Sequence, residues 1–398
     1  MSSERSNWKS PGVFAAVFLA VPMTAWTGEE LRCIDPAQGM SRCVVVGPSD
    51  LAHTSQFSAP GVDTLKGQMQ ETLKQVDLAL KSRGSALDQA VKLNIYVTQD
   101  SATPEVQAVL GETFSGEHSP AVCFVTTRLP WPRALVALDA VGVSSEDRAS
   151  SEAENPEASK IGSACRLLPQ GPRVYISGQA EKGDGTLADA TRQTLASLQR
   201  TLEFLGLDKR HVVQVKSFLM PMAHYSQAEQ EIAKFFAGMD VPPCVYVEWN
   251  SSLPIEIELI VAADDVPALR KGPAVEVRTP PGMTTPAIYS RLTIVRHPVT
   301  IYTSGLYPAD ASAAPEHQLR SLFSNLKRCL DETGSDWMHL VKATYYVNDE
   351  ELNKQHNLVR PDYFSPRRPP AASKAMVAGT GQAGQGICMD FIVVPGEP

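Results

Sequence analysis

The residue pattern that most directly suggests chemistry is the stretch Leu253-Pro-Ile-Glu-Ile-Glu-Leu-Ile260. Its strict alternation reads as a strand, so Glu256 and Glu258 fall on one face. Two like carboxylates so close tend to raise one pKa. Glu256 is therefore a candidate catalytic carboxylate. The other reading is the polar face of an ordinary strand.

Ser177-Gly178-Gln179 and Ser304-Gly305 are candidate ligand contacts. Alternatively, glycine there permits a bend or a close backbone approach. His53 in His53-Thr-Ser-Gln56 is either a ligand contact or a satisfied structural histidine. Cys244 would be a nucleophile only with a lowered pKa. No cation lies near it in sequence, which favours a buried, inert thiol. The chain has no glycine-rich phosphate loop, metal-binding histidine spacing or nucleophile elbow. Neither a metal nor a cofactor is expected.

Positioning these groups falls to a unit that occurs three times. Ala90–Val97, Val212–Leu219 and Leu340–Val347 read alike, and Val91, Val213 and Val341 fall in register at offsets of 122 and 128 residues. The same offsets match Leu73, Leu195 and Phe323; Val76, Leu198 and Leu326; Leu80, Leu202 and Leu330; and Gly84, Gly206 and Gly334. Phe114, Phe236 and Phe364 match further on, as do Pro120, Pro242 and Pro370. Ser55, Ser177 and Ser304 match upstream.

Each unit reads as a strand ending near that serine, then an amphipathic helix whose apolar residues step by three and four. The matched glycine ends the helix in a left-handed cap. A β-branched, aromatic strand follows, then a second helix (Pro104–Phe114, Gln227–Phe236, Glu350–Asn357) and two closing strands. Ser144–Ser159 reads as a solvated linker and Asp264–Pro286 as a Pro-rich, charged joint. The expected domains are 1–143, with an extension over 1–40, then 160–263 and 275–396.

The bulk numbers agree with a soluble globular chain. It has 398 residues, 43% hydrophobic and 20% charged, with a net charge of −8. The acidic balance disfavours nucleic acid and anionic membrane as partners. The seven cysteines are odd in number, widely spaced and without a CxxC, which argues for reduced thiols rather than a disulfide framework or zinc site. Arg5 and Lys9 precede an apolar run, Val13–Val21, too short to span a bilayer. It has the outline of a secretory signal, but Trp26 sits where a small residue belongs. Its length favours a buried strand. The expected location is cytoplasmic, with secretion by an N-terminal signal left open.

Tyr175–Gln179, Gly206–Val215 and Leu253–Ile260 resemble the RidA/YjgF family, also called endoribonuclease L-PSP. Thr303-Ser-Gly305 and Phe364 with Pro370-Ala-Ala-Ser373 fit the same pattern. The resemblance covers roughly 41–143, 160–263 and 285–395. It implies an α+β, chorismate-mutase-like fold that assembles in threes, with a central β-barrel, outer helices and ligand clefts between units. Three linked copies imply an intramolecular pseudo-trimer in a monomeric chain, with a small-molecule ligand as partner.

The family chemistry implied is hydrolysis of imines and enamines to a keto acid and ammonia. An arginine after the Pro-Ala step clamps the substrate carboxylate, and a glutamate on the last strand activates water. Here the arginine positions hold Val122, Cys244 and Ala372. The glutamate positions hold Ala137, Glu256 and Cys388. Lys374, two residues after Ala372 on the same strand face, is a candidate replacement cation. Arg360, Arg367 and Arg368 crowd the same approach. Three functions stand open: a deaminase-like hydrolase with altered recognition, a catalytically silent binding or regulatory module, and an endoribonuclease or translation inhibitor. Acidity and the absence of a basic–aromatic patch weigh against the last.

Overall fold

The computed structural model describes residues 31–116, 118–145 and 162–396. The apolar run Val13–Val21 and nearly all of the Ser144–Ser159 linker lie outside the described residues.

The first unit contains β1 (Leu31–Ile34), β2 (Cys43–Val46), β3 (Asp50–Thr54), α1 (Leu65–Lys81), β4 (Ala90–Val97), α2 (Thr103–Thr113), β5 (Ala121–Thr126) and β6 (Val136–Ser144). The second contains β7 (Cys165–Leu168), β8 (Arg173–Gln179), α3 (Leu187–Phe204), β9 (Val212–Leu219), α4 (Tyr225–Phe235), β10 (Cys244–Glu248) and β11 (Ile255–Ala262). The third contains β12 (Val275–Arg278), β13 (Leu292–Val295), β14 (Thr300–Thr303), α5 (Pro315–Thr333), β15 (Leu340–Val347), α6 (Glu350–Val359), β16 (Ala371–Met376) and β17 (Ile387–Val393).

Local chemistry sets these boundaries. Thr64 and Thr186 cap α1 and α3 by accepting from the Gly67 and Asp189 amides. Pro315 opens α5, where a missing N–H costs nothing. Gly84, Gly206 and Gly334 follow the three long helices with φ of 69°, 73° and 69°. Those left-handed values are cheap only for glycine. Leu195, Leu198 and Leu202 line the buried stripe of α3, and Phe323, Leu326 and Leu330 that of α5.

The sheets exchange strands in a ring. The first runs β5-β4-β6-β3-β7, the second β10-β9-β11-β8-β13-β12, and the third β16-β15-β17-β14-β2-β1. Each therefore ends on strands supplied by another unit. β7 of the second unit pairs with β3, β13 of the third with β8, and β2 of the first with β14, all antiparallel. Within each unit the pairs β4–β5, β9–β10 and β15–β16 are parallel.

Each sheet packs its own helices on one face, giving three cores that include the borrowed strands. Cys43 and Val45 belong to the third core, and Leu292 and Ile294 to the second. The opposite faces meet in a core common to all units, where Val91, Val213 and Val341 come together with Val46, Tyr175 and Tyr302. The α+β class and the threefold repeat agree with the sequence. The expected central barrel is not found as one closed ladder; the strands form three sheets around a shared interior.

Two short strands add to the sequence reading. The Asp264–Pro286 joint contains β12, which pairs with β13 over Val275–Arg278. The extension before residue 41 contains β1, which pairs with β2 in the same way. Both strands are short and flanked by turn-forming residues, so composition hid their alternation.

Because β2 completes a sheet to which it is not locally connected, deleting residues 31–46 should expose β14 as a bare edge. Native-state hydrogen exchange should then quicken in β14 and β17, while β9 and β11 keep their protection. Equal loss throughout would mean that the ring folds as one unit without local sheets.

Candidate functional site

Three seams join the units, and one hydrogen-bonding rule builds all of them. The serine at the end of the incoming strand accepts from an amide at the start of β16, β5 or β10 in another unit. Ser177 Oγ accepts from Ala372 N–H at 2.8 Å, Ser304 Oγ from Val122 N–H at 2.7 Å, and Ser55 Oγ from Cys244 N–H at 3.2 Å. Ser177 and Ser304 also donate, to the carbonyls of Ser290 and Ser41 at 2.5 and 2.6 Å. These hydroxyls hold the seams together. A buried amide left without such an acceptor would cost about 1–3 kcal/mol.

Cys244 and Ser177 consequently sit in different seams. Cys244 joins Ser55 and Gln56 between the first and second units, where Gln56 N–H also donates to the Cys244 carbonyl at 3.0 Å. A cleft of about 310 Å³ opens there, lined by Ser55, Trp131, Glu229, Cys244 and Tyr246. Burial pushes the Cys244 thiol up to about 12, so it is an unreactive thiol at neutral pH.

Strand register makes Glu256, Ala137 and Cys388 equivalent residues of β11, β6 and β17. Glu256, Ala137 and Cys388 lie opposite Phe218, Tyr96 and Tyr346, themselves equivalent residues of β9, β4 and β15. The residue that meets each of them across the seam differs as well. Glu256 meets Ser373, and Cys388 meets Cys123 at 3.8 Å between sulfurs. Ala137 packs in the apolar cluster that includes Val245. The same site is thus acid–hydroxyl, dithiol and hydrocarbon in turn.

The acid–hydroxyl seam lies between the second and third units. Gly178 N–H donates to Ser373 Oγ at 3.1 Å, and Ser373 in turn hydrogen-bonds Glu256. A Cβ on Gly178 would overlap the Glu256 carboxylate, so glycine is what admits that side chain. Glu256 Oε1 is buried with no hydrogen-bond partner. Burial, then the charge of Glu258, pushes the carboxyl up to about 8, against the pull of Ser373 and Lys342. The acid is therefore mostly protonated at neutral pH.

Lys374 stands on the other face of β16. Ala372 and Met376, which share its face, pack into the helix-side core, whereas Ala371 and Ala375 face the interior. Lys374 Nζ donates to Asn357 Oδ1 at 3.0 Å, and Arg360 donates to the same oxygen at 2.8 Å. Arg360 is buried, lies 5.2 Å from the Tyr345 ring and leaves its Nε unpartnered. Burial, then the Arg360 charge, lowers Lys374 to about 8. These two adjacent cations share one amide oxygen, and the Glu350 carboxylate, which also acts on Lys374, offsets part of the corner's positive charge. Gln179 turns away from the seam and donates to Thr201 of α3 at 2.8 Å. Gly305 closes the third seam, donating from its N–H to the Val122 carbonyl at 2.9 Å.

Sequence reasoning missed a buried ionic cluster inside the shared core. Lys92 pairs with Asp390 at 2.8 Å and Lys342 with Glu258 at 2.9 Å, each across units. Lys216 donates to the Tyr346 hydroxyl at 2.7 Å, and Asp139 accepts from Asn94 and Tyr96. Glu258, Asp139 and Asp390 occupy the same place on the three last strands, two residues beyond Glu256, Ala137 and Cys388. That repeated acid was the available signal. His53 also lines this cavity of about 50 Å³. Burial lowers its pKa to about 3, so it is neutral.

The elevated Glu256 pKa carries a stability signature. The folded chain keeps a proton that the unfolded chain loses above about 4.5, so this group's contribution falls as pH rises from about 4.5 to 8. Glu256→Gln should flatten that part of the Tm–pH curve relative to wild type. Parallel curves would place the carboxyl at an ordinary pKa.

Comparison with known proteins bears on the whole chain. The endoribonuclease L-PSP family profile matches it three times, over residues 48–143, 162–263 and 283–386. Among solved structures, a YjgF-family protein of Neisseria meningitidis is 19% identical, with 31% of this chain and 97% of that one covered and a TM-score of 0.24. A second YjgF-family protein, from Mycobacterium tuberculosis, is 22% identical over 27% and 94%, with a TM-score of 0.22. A conserved Rid-family protein of Yersinia pestis is 24% identical over 24% and 84%, also with a TM-score of 0.22. No curated protein matches. With three consecutive matches spanning most of its length, the chain belongs to the endoribonuclease L-PSP family, the RidA/YjgF proteins, and carries the family unit in triplicate.

Proposed function

We propose that the chain is an internal pseudo-trimer of units 1–143, 160–263 and 275–396, monomeric and cytoplasmic, that hydrolyses a small imine or enamine at the seam between its second and third units. The ring of exchanged strands supports the pseudo-trimer, since each sheet is completed by another unit. The carrying observation for the activity is Glu256, a buried acid with a free oxygen and a pKa near 8. A general acid–base works best with a pKa near the working pH.

The proposed chemistry is balanced by that one group. The Glu256 carboxyl protonates the imine nitrogen. The resulting carboxylate takes a proton from the water that adds to the imine carbon, giving a carbinolamine. Glu256 then protonates the amine, the C–N bond breaks and ammonia leaves. The hydroxyl proton returns to the carboxylate as the carbonyl forms. Ala137 cannot do this work, and Cys388 is committed to another thiol, so one seam of three is active in this scheme.

Recognition departs from the family pattern. The amides of Val122, Cys244 and Ala372 are tied to serines, and none of these side chains carries charge. Lys374 and Arg360 supply positive charge on the opposite face of β16, which suits a substrate whose anionic group is offset from its reacting carbon. The absence of a guanidinium fork in all seams favours a second reading, a module that binds such a ligand without turnover.

Ammonia release from freshly generated imines, with and without carboxylates, separates the two. Turnover should fall by about 100-fold or more in Glu256→Gln, and Lys374→Ala should raise KM for the anionic substrates only. A wild-type chain that gains thermal stability from these ligands yet releases no ammonia supports the binding module. Turnover unaffected by Glu256→Gln would remove the carboxyl from the mechanism.

A further inference from the structure

We propose that Cys123 and Cys388 are an oxidisable pair whose disulfide, formed by a hydroperoxide, covalently closes the seam between the third and first units. The geometry is local and specific. The two sulfurs are in contact at 3.8 Å, and both residues are buried. Gly305 makes the contact possible. A Cβ there would lie 2.7 Å from Cys388 Sγ and 3.3 Å from Cys123 Sγ. Formation of the bond requires the sulfurs to approach to about 2.05 Å, within the reach of side-chain rotation.

Position in the chain gives the pair its consequence. The first and second units, and the second and third, are joined by peptide. The third and first meet only through non-covalent contacts, chiefly β2 on β14. Cys123 belongs to the first unit and Cys388 to the third, so their bond would link the one untethered pair. Cys43 of β2 and Cys329 of α5 also lie together in the third sheet's core. The counterparts of Cys123 and Cys388 at the other seams are Val245 with Ala137 and Ser373 with Glu256, neither of which can form a covalent link.

The surroundings define the oxidant. The buried Lys92 ammonium, held by Asp390 and the Thr303 carbonyl, acts electrostatically on the Cys123 sulfur. It favours the thiolate, whereas the contact with Cys388 and burial hold Cys123 well above the ordinary thiol range. Reaction is consequently slow, and burial excludes bulky charged disulfides in favour of a small neutral peroxide. One sulfur attacks the peroxide oxygen to give a sulfenic acid and release water. The second thiol displaces the sulfenic hydroxyl as a second water, forming the S–S bond. Two thiols lose two electrons and two protons, and one hydrogen peroxide becomes two waters.

Treatment of the native full-length chain with hydrogen peroxide, followed by alkylation and non-reducing peptide mapping, tests this directly. The expected product is a peptide pair joined through Cys123 and Cys388, reversed by dithiothreitol. It should raise Tm by roughly 5 °C, because the link closes a long loop in the unfolded chain. Cys123→Ser and Cys388→Ser should both lose the linked peptide and the Tm rise, while their reduced forms melt close to reduced wild type. Should a variant fail to fold, the wild-type map still decides. Recovery of both cysteines as free thiols, as separate sulfinic acids, or linked to other cysteines would overturn the proposal.

Discussion

Everything in this molecule depends on a sheet that its own unit cannot finish. β14 has no partner on one side until β2 arrives from the first unit, and β8 has none until β13 arrives from the third. Bare strand edges and buried amides are costly, so the units must lie side by side. The seams follow from that requirement. Ser55, Ser177 and Ser304 stand where one unit's strand ends against another's, and each satisfies an amide that would otherwise be buried alone. A side-chain hydroxyl thus does, at three places, what a ladder hydrogen bond does within a sheet.

With the backbone fixed by that rule, the side chains at the seam are free to differ. Three identical subunits would carry one sequence at all seams. A single chain does not, and one equivalent position of the three last strands holds Glu256, Cys388 and Ala137. Each is matched by its neighbour: a hydroxyl for the acid, a thiol for the thiol, a valine for the alanine. Glu256 shows why the match matters. Its free oxygen and raised pKa come from a dry setting beside Glu258, with Ser373 as its polar partner. The same carboxyl set against Val245 would have no hydrogen-bond donor at all.

The shared interior uses charge as well as hydrocarbon. Three lysines and two carboxylates line one small cavity, and both of their ion pairs cross between units. Burying such groups gains little net stability, because desolvation offsets attraction, but removing one partner leaves a buried charge. Pairing Lys92 with Asp390 and Lys342 with Glu258 therefore penalises any arrangement in which the units are misplaced. Val91, Val213 and Val341, packed close by, do not distinguish one unit from another.

The sequence alone determined the repeat, the α+β class, the helix ends at Gly84, Gly206 and Gly334, and the three long central strands to the residue. These are legible because periodicity and glycine's left-handed freedom act over a few residues. It also identified Glu256 and its neighbour Glu258, since alternation places both on one face whatever the surroundings. Tertiary structure decided the rest. Which unit supplies β2, β7 and β13 depends on pairing between segments distant in sequence, and short strands such as β1 and β12 have too few residues to announce themselves. The serines read as ligand contacts turned out to have partners more than a hundred residues away, and Cys244 faces Ser55 rather than Ser177. Only the fold brings Cys123 to Cys388, or Lys92 to Asp390, because neither contact leaves a trace in local spacing.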